Sequence, residues 1–132
     1  FRKYNKRVYC YYKKNNPIKE PIALSELWGL FVDYIEKNYP KYMAFITFEE
    51  QTRERTWITI NQCFYYIAYR DIGYTKTAIA EFRKKHHATI IHSINNAKGY
   101  LNDEDPLFME IYNETYKKYK KYVGIISEDT EV

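Results

Sequence analysis

TKTAIAEFRKKHHATIIHSINNAKGY, residues 75–100, carries two helical periods separated by a basic turn, and the reading of that turn decides the fold. Thr75 can cap a short helix that runs to about Phe82 and faces inward with Ala78, Ile79 and Phe82. Arg83, Lys84 and Lys85 interrupt it. A second helix then runs from His86 to about Tyr100, with Ile90, Ile91, Ile94, Ala97 and Leu101 repeating at helical spacing on one face. Two helices joined by so short a turn form a helix-turn-helix arrangement.

The same periodicity extends outward on both sides. Ile60, Cys63, Phe64, Ile67 and Ala68 recur at i, i+3, i+4, i+7 and i+8, which predicts an amphipathic helix over Thr59 to Asp71, ended by Gly73. Asp105 followed by Pro106 is an N-cap and first-turn pairing for a last helix running to about Tyr122, followed by a frayed acidic tail after Gly124. Toward the N-terminus, Ser25 can cap a helix through Asn38 carrying Leu27, Leu30, Phe31, Tyr34 and Ile35, stopped by Pro40. Residues 41–58 fit either a strand or a buried helix, and Thr47 with Glu50 has capping-box spacing. Asn15 to Pro21 is a loop by its prolines, and Arg7 to Tyr12, RVYCYY, reads as a short strand. The expected fold is therefore mainly α, a helix-turn-helix bundle with a short strand element near the N-terminus. Three segments organise it: residues 1–50, an extension with one amphipathic helix packed on or beside the core; residues 51–101, the helix-turn-helix; and residues 102–132, a C-terminal helix with an acidic tail.

At 132 residues with 45% apolar side chains, the chain can fill one core and leaves little room for a second. Lys and Arg number 21 against 17 acids, a net charge of +4 that hides segregation. Residues 1–14 carry six cations and no acid, whereas the last six residues carry three acids and no base. One end is suited to an anionic partner, and phosphate backbone is the commonest of these. Cys10 and Cys63 are too far apart in sequence for zinc or redox spacing, so both are expected as buried or half-buried thiols in a reducing compartment. No apolar run approaches the roughly 20 residues of a membrane span, and no signal-peptide pattern opens the chain. A soluble protein is expected, in the cytoplasm of a bacterial or virus-infected cell, without membrane contact. The 16 tyrosines suit an AT-rich coding sequence, and in the N- and C-terminal segments they offer surface for protein partners.

All three histidines lie in KKHHATIIHS. A metal site does not fit them: His87 and His92 diverge by about 140° around a helix and His86 and His92 by about 120°, instead of sharing the i, i+4 face that zinc needs. No nucleophile elbow surrounds Cys63, and none of the four glycines lies in a phosphate loop. Neither an enzyme nor a bound metal, cofactor or nucleotide is expected. The remaining reading is a recognition helix: His86, His87, Ala88 and Thr89 at its N-terminus can reach base edges, and its free amides favour phosphate.

IAEFRKKHHATIIHS, Ile79 to Ser93, resembles the signature of the DNA-binding C-terminal domain of the bacterial replication initiator DnaA, a helix-turn-helix of the Trp-repressor-like type. His87 through Ser93 fall on the last seven signature positions, and only Ala88 departs. Lys85 stands where the family has arginine. Upstream, NQCFYYIAYRDIGYTKTAIAEF is similar to the family's preceding helix, with Gln62 and Tyr66 matching, and Arg53 and Arg55 stand at its phosphate-gripping basic loop. Four departures bear on sequence preference: Asn61 replaces an arginine that the family sends into the minor groove, Ala80 replaces a glycine, the turn has one residue fewer than in many members, and His86 replaces an aspartate suited to a cytosine amino group. The resemblance covers residues 53–101. It implies binding of double-stranded DNA in replication or transcription control, or in a phage or mobile element, with His86, His87, Ala88 and Thr89 in the major groove. Arg53, Arg55, Lys76, Arg83, Lys84, Lys85 and His92 are then expected on phosphates. The alternative is a structural or interaction protein, such as a virion or assembly component, that keeps the fold without reading DNA.

Overall fold

A computed structural model of the chain describes residues 22–48 and 52–131, with side chains to residue 124; the expected strand at Arg7 to Tyr12, the loop at Asn15 to Pro21, Cys10 and the Thr47–Glu50 pairing fall on or reach into residues outside these. Six α-helices and no strand are found among the described residues. They are α1 (Leu24–Asn38), α2 (Met43–Thr47), α3 (Arg55–Tyr66), α4 (Lys76–Arg83), α5 (His87–Asn102) and α6 (Pro106–Glu131). The fold is a mainly α bundle, and no described helix is long and apolar enough to cross a membrane.

α3 is the central element. Every residue from Thr59 to Ala68 is buried, and a helix buried on all sides must be enclosed by others. α5 and α6 pack along it and α1 closes the remaining side. Two of the three polar side chains caught inside turn back on the helix: Thr59 Oγ1 donates to Arg55 O at 2.8 Å, and Asn61 Nδ2 to Trp57 O at 2.9 Å, whereas Gln62 Oε1 is buried with no hydrogen-bond partner. Such back-bonding satisfies a hydroxyl or amide where water cannot reach. Thr59 is thus a helix-interior residue rather than a start, and α3 begins four residues before the expected position.

Past Tyr66 the helix widens into a π-helical turn, Ile67–Ile72, which carries Asp71 against α6. Gly73 ends it at φ 107°, a conformation costly for any residue with a Cβ, and both Gly73 N–H and Tyr74 N–H return to Ala68 O at 3.0 and 2.9 Å. Aromatic rings fill the core between α1 and α3: Phe64 meets Trp28 and Phe31 edge-on at 5.1 and 5.5 Å.

Three caps explain the helix starts. Thr75 Oγ1 accepts from Ala78 N–H at 3.1 Å, and Asp105 Oδ2 accepts from Phe108 N–H at 3.0 Å, as their sequences predict. At α1 the expectation is corrected: Ala23, not Ser25, holds the cap position, and Glu26 Oε1 accepts from Ala23 N–H at 3.1 Å. The glutamate at the third helical position thus binds the amide of the N-cap residue itself, and no N-cap side chain reaches the first-turn amides. The ambiguous segment resolves as a 3₁₀ turn at Pro40–Tyr42 followed by α2. α6 continues to Glu131, beyond its expected end at Tyr122.

Candidate nucleic-acid interface

α4 ends at Arg83, and Lys84 then takes φ 53°, the left-handed conformation that reverses a chain after a helix. Lys84 N–H returns to Glu81 O at 3.3 Å and Lys85 N–H to Ala80 O at 2.9 Å, closing the corner. His86 is the N-cap of α5, with its Nδ1 accepting from Ala88 N–H at 3.2 Å. That bond occupies the Nδ1 lone pair and leaves Nε2–H as the group offered outward. His86 therefore caps the helix instead of forming its first turn as expected, and α5 starts at His87.

Six consecutive residues, Lys84 to Thr89, are exposed, while the next, Ile90, is fully buried and anchors the helix. The edge so formed combines two lysines, two imidazoles, a methyl and a hydroxyl at a helix N-terminus, where free amides and the helix dipole favour anions. His92 is exposed further along α5.

The remaining expected contacts divide. Arg53 is exposed, and Lys76 is half-buried with its Nζ 5.1 Å from the Tyr69 ring centre. Arg55 is exposed but engaged: Nη2 lies 2.6 Å from Asp105 Oδ1, and its guanidinium sits 5.6 Å from the Tyr100 ring. Eleven residues of α5 separate Tyr100 from Thr89, about 16 Å at the helical rise, so Arg55 belongs to the far end of α5 and does not join the turn.

Arg83 departs furthest from expectation. Instead of facing outward with Lys84 and Lys85, it turns into the protein, its guanidinium 3.9 Å from the Trp28 ring centre and Nη2 donating to Asn61 Oδ1 at 2.9 Å. Burial pushes the Tyr65 hydroxyl above its ordinary range, and the charge of Arg83 and its hydrogen bond to that hydroxyl pull against the shift. Asn61 is only 7% exposed and touches the protein on both sides of its amide. Trp28 and Asn61 thus stand directly behind the turn; the sequence marks Asn61 only as a departure from the family's arginine, and Trp28 not at all.

Burial also pushes the Cys63 thiol well above its ordinary range, which suits an inert core residue. No group of three or more His, Cys, Asp or Glu able to hold a metal ion is found among the described residues. Comparison of the chain with protein-family models, curated proteins and solved structures finds no match to any of them.

Proposed function

We propose that the chain binds double-stranded DNA with the corner between α4 and α5, His86 to Thr89 meeting base edges and the flanking lysines meeting phosphate. The observation that carries this reading is the uninterrupted exposed run from Lys84 to Thr89 at a capped helix N-terminus. It is supported by the sequence resemblance to the DnaA C-terminal domain over the same residues, and by a DNA-contacting chemistry in which Nε2–H of His86 donates to a phosphate or base acceptor. Control of replication or transcription, or a phage or mobile-element role, follows from the same resemblance.

With Arg83 turned into the protein and Arg55 paired at the surface with Asp105, the expected phosphate contacts reduce to His92 and four Lys or Arg contacts, Arg53, Lys76, Lys84 and Lys85. For four contacts the duplex affinity should fall on the order of 10²-fold between about 50 and 200 mM salt. A fluorescence titration of a labelled duplex over that range reads the slope directly. Absence of binding even at the lowest salt would sink the proposal. It would favour the second reading, a protein-interaction component, for which Phe48, 70% exposed, is the motivating feature.

A further inference from the structure

Of all the cations near the α4–α5 corner, Arg83 is the one held from two other helices. Its guanidinium lies face-on to Trp28 of α1 at 3.9 Å and donates to Asn61 of α3 at 2.9 Å. Neither partner is free to follow it. Asn61 has its own amide donor fixed on Trp57 O, which leaves its carbonyl oxygen aimed at Arg83, and the Trp28 ring is wedged edge-on to Phe64 and stacked on Phe31 at 6.4 Å.

Directly after Arg83 come Lys84, Lys85 and His86, all exposed, so nothing apolar holds the corner until Ile90 on the other side. Six residues, Lys84 to Thr89, with no core anchor would let the α5 N-terminus swing relative to α4. A planar guanidinium, which can stack and donate in fixed directions at once, is the side chain suited to stop that. Lysine offers neither the plane nor the fork.

We propose that Arg83 is a positioning residue: bridging Trp28 and Asn61 at the last turn of α4, it fixes the Lys84–His86 corner for duplex DNA without touching phosphate itself, and so makes α1 part of the DNA-contacting unit. This rests on the function proposed above. It assigns to residues 22–38 a role that the resemblance over residues 53–101 does not reach.

The test measures duplex affinity against salt for the full chain and for Arg83→Gln, Arg83→Lys and Trp28→Leu. For a positioning residue, Arg83→Gln should weaken affinity roughly 10-fold while the slope of log affinity on log salt stays that of the wild type. A direct phosphate contact would flatten the slope by about 0.9. Arg83→Lys should not rescue, and Trp28→Leu, which removes the ring face but keeps apolar volume, should lose a similar factor. The double variant should be hardly worse than either single change, because both break one interaction. A flattened slope with Arg83→Gln, rescue by lysine, or full affinity in Trp28→Leu would each overturn the proposal.

Amide hydrogen exchange in the absence of DNA guards against variants that simply unfold. Faster exchange should be confined to Lys84 and Lys85, whose N–H groups close the corner, and Ala88, whose N–H is capped by His86, with Phe108 and the rest of the α6 start unchanged. Exchange that rises everywhere, or not at all at the corner, counts against the clamp. If the wild type binds no duplex, the functional proposal fails, and with it the DNA role of Arg83; the exchange pattern alone then decides whether the clamp exists.

Discussion

At the corner between α4 and α5, Lys84 sits at φ 53°, its N–H returns to Glu81 O at 3.3 Å, and Lys85 N–H returns to Ala80 O at 2.9 Å. At the corner between α5 and α6, Glu104 sits at φ 53°, its N–H returns to Leu101 O at 3.2 Å, and Asp105 N–H returns to Tyr100 O at 2.9 Å. Each corner is followed by a side-chain N-cap, His86 in one and Asp105 in the other. The return bonds are the same, although Lys85 stands between the left-handed residue and the cap in the first corner while Asp105 is itself the cap in the second; the charge is opposite. In the acidic corner Asp105 is absorbed internally, capping α6 and pairing with Arg55. In the basic corner only Arg83 turns inward, while Lys84, Lys85 and His86 face solvent. One backbone solution thus serves joining in one place and, on the reading proposed here, contact with an anion in the other.

The largest expected effect separates the two corners by function. Lys84→Ala with Lys85→Ala should weaken all duplexes about equally, roughly 10-fold or more at low salt, and flatten the salt slope by about one unit per lost phosphate contact. Asp103→Asn with Glu104→Gln should leave affinity unchanged or slightly higher. A double substitution in the acidic corner that weakens binding as much as one in the basic corner would remove the distinction.

The corners also differ in how far the sequence revealed them. The Asp105–Pro106 pair and Thr75 were readable because a cap acts on amides two or three residues away, so its whole mechanism lies within a short stretch. The helical periods of α3 and α5 were readable for the same reason: Ile60, Cys63, Phe64, Ile90 and Ile94 all reach full burial. Arg83 was not. A string of three cations, Arg83 to Lys85, looks uniform in sequence, and only the placement of Trp28, 55 residues earlier, sets the first apart from the others. Asn61 likewise reads as a polar residue on a helix, yet its two partners come from its own preceding turn and from the end of α4. Contacts that depend on tertiary placement leave no local period to detect.

Two carboxylates sharpen the comparison through pH. Asp105 is held below the ordinary carboxylate range, chiefly by the Phe108 N–H bond and then by Arg55. Asp71, on the π-helical turn, is pushed up to about 6 by burial, against the opposing pull of the Tyr112 hydroxyl, Arg70 and Lys120. The signs follow from linkage. The lowered Asp105 contributes stability above its unfolded value of about 3.9, and that contribution disappears as pH falls through the lower folded value. The raised Asp71 favours folding in its protonated form, so its contribution is fully present below about 4 and is lost as pH rises through about 6. Discounted for partial solvent access, the Asp71 effect is about 1–2 kcal/mol. Denaturant unfolding should therefore give stability that rises as pH falls from about 7 toward 4 and falls again below 4. Asp71→Asn should remove the first limb by stabilising the protein at pH 8, and Asp105→Asn should remove the second. A wild-type profile flat between pH 8 and 5 would remove Asp71 from this account.

The smallest expected effect tests whether the two corners are energetically alike. A non-glycine residue in the left-handed region costs about 1 kcal/mol or more, and glycine relieves that cost while losing roughly 0.5–1 kcal/mol through the greater freedom of the unfolded chain. Lys84→Gly and Glu104→Gly should each stabilise the protein by about 0.5 kcal/mol, because the two residues share φ 53° and the same return bonds. Equal shifts in urea midpoint at unchanged slope are the outcome expected of equal backbones. The two variants should then part company on DNA: Lys84→Gly loses a cation from the exposed edge and should bind less tightly, whereas Glu104→Gly should bind as the wild type does. If Lys84→Gly were instead destabilising while Glu104→Gly stabilised, the basic corner would depend on the lysine side chain for its own folding, and Lys84 could no longer be counted among the groups directed at a partner.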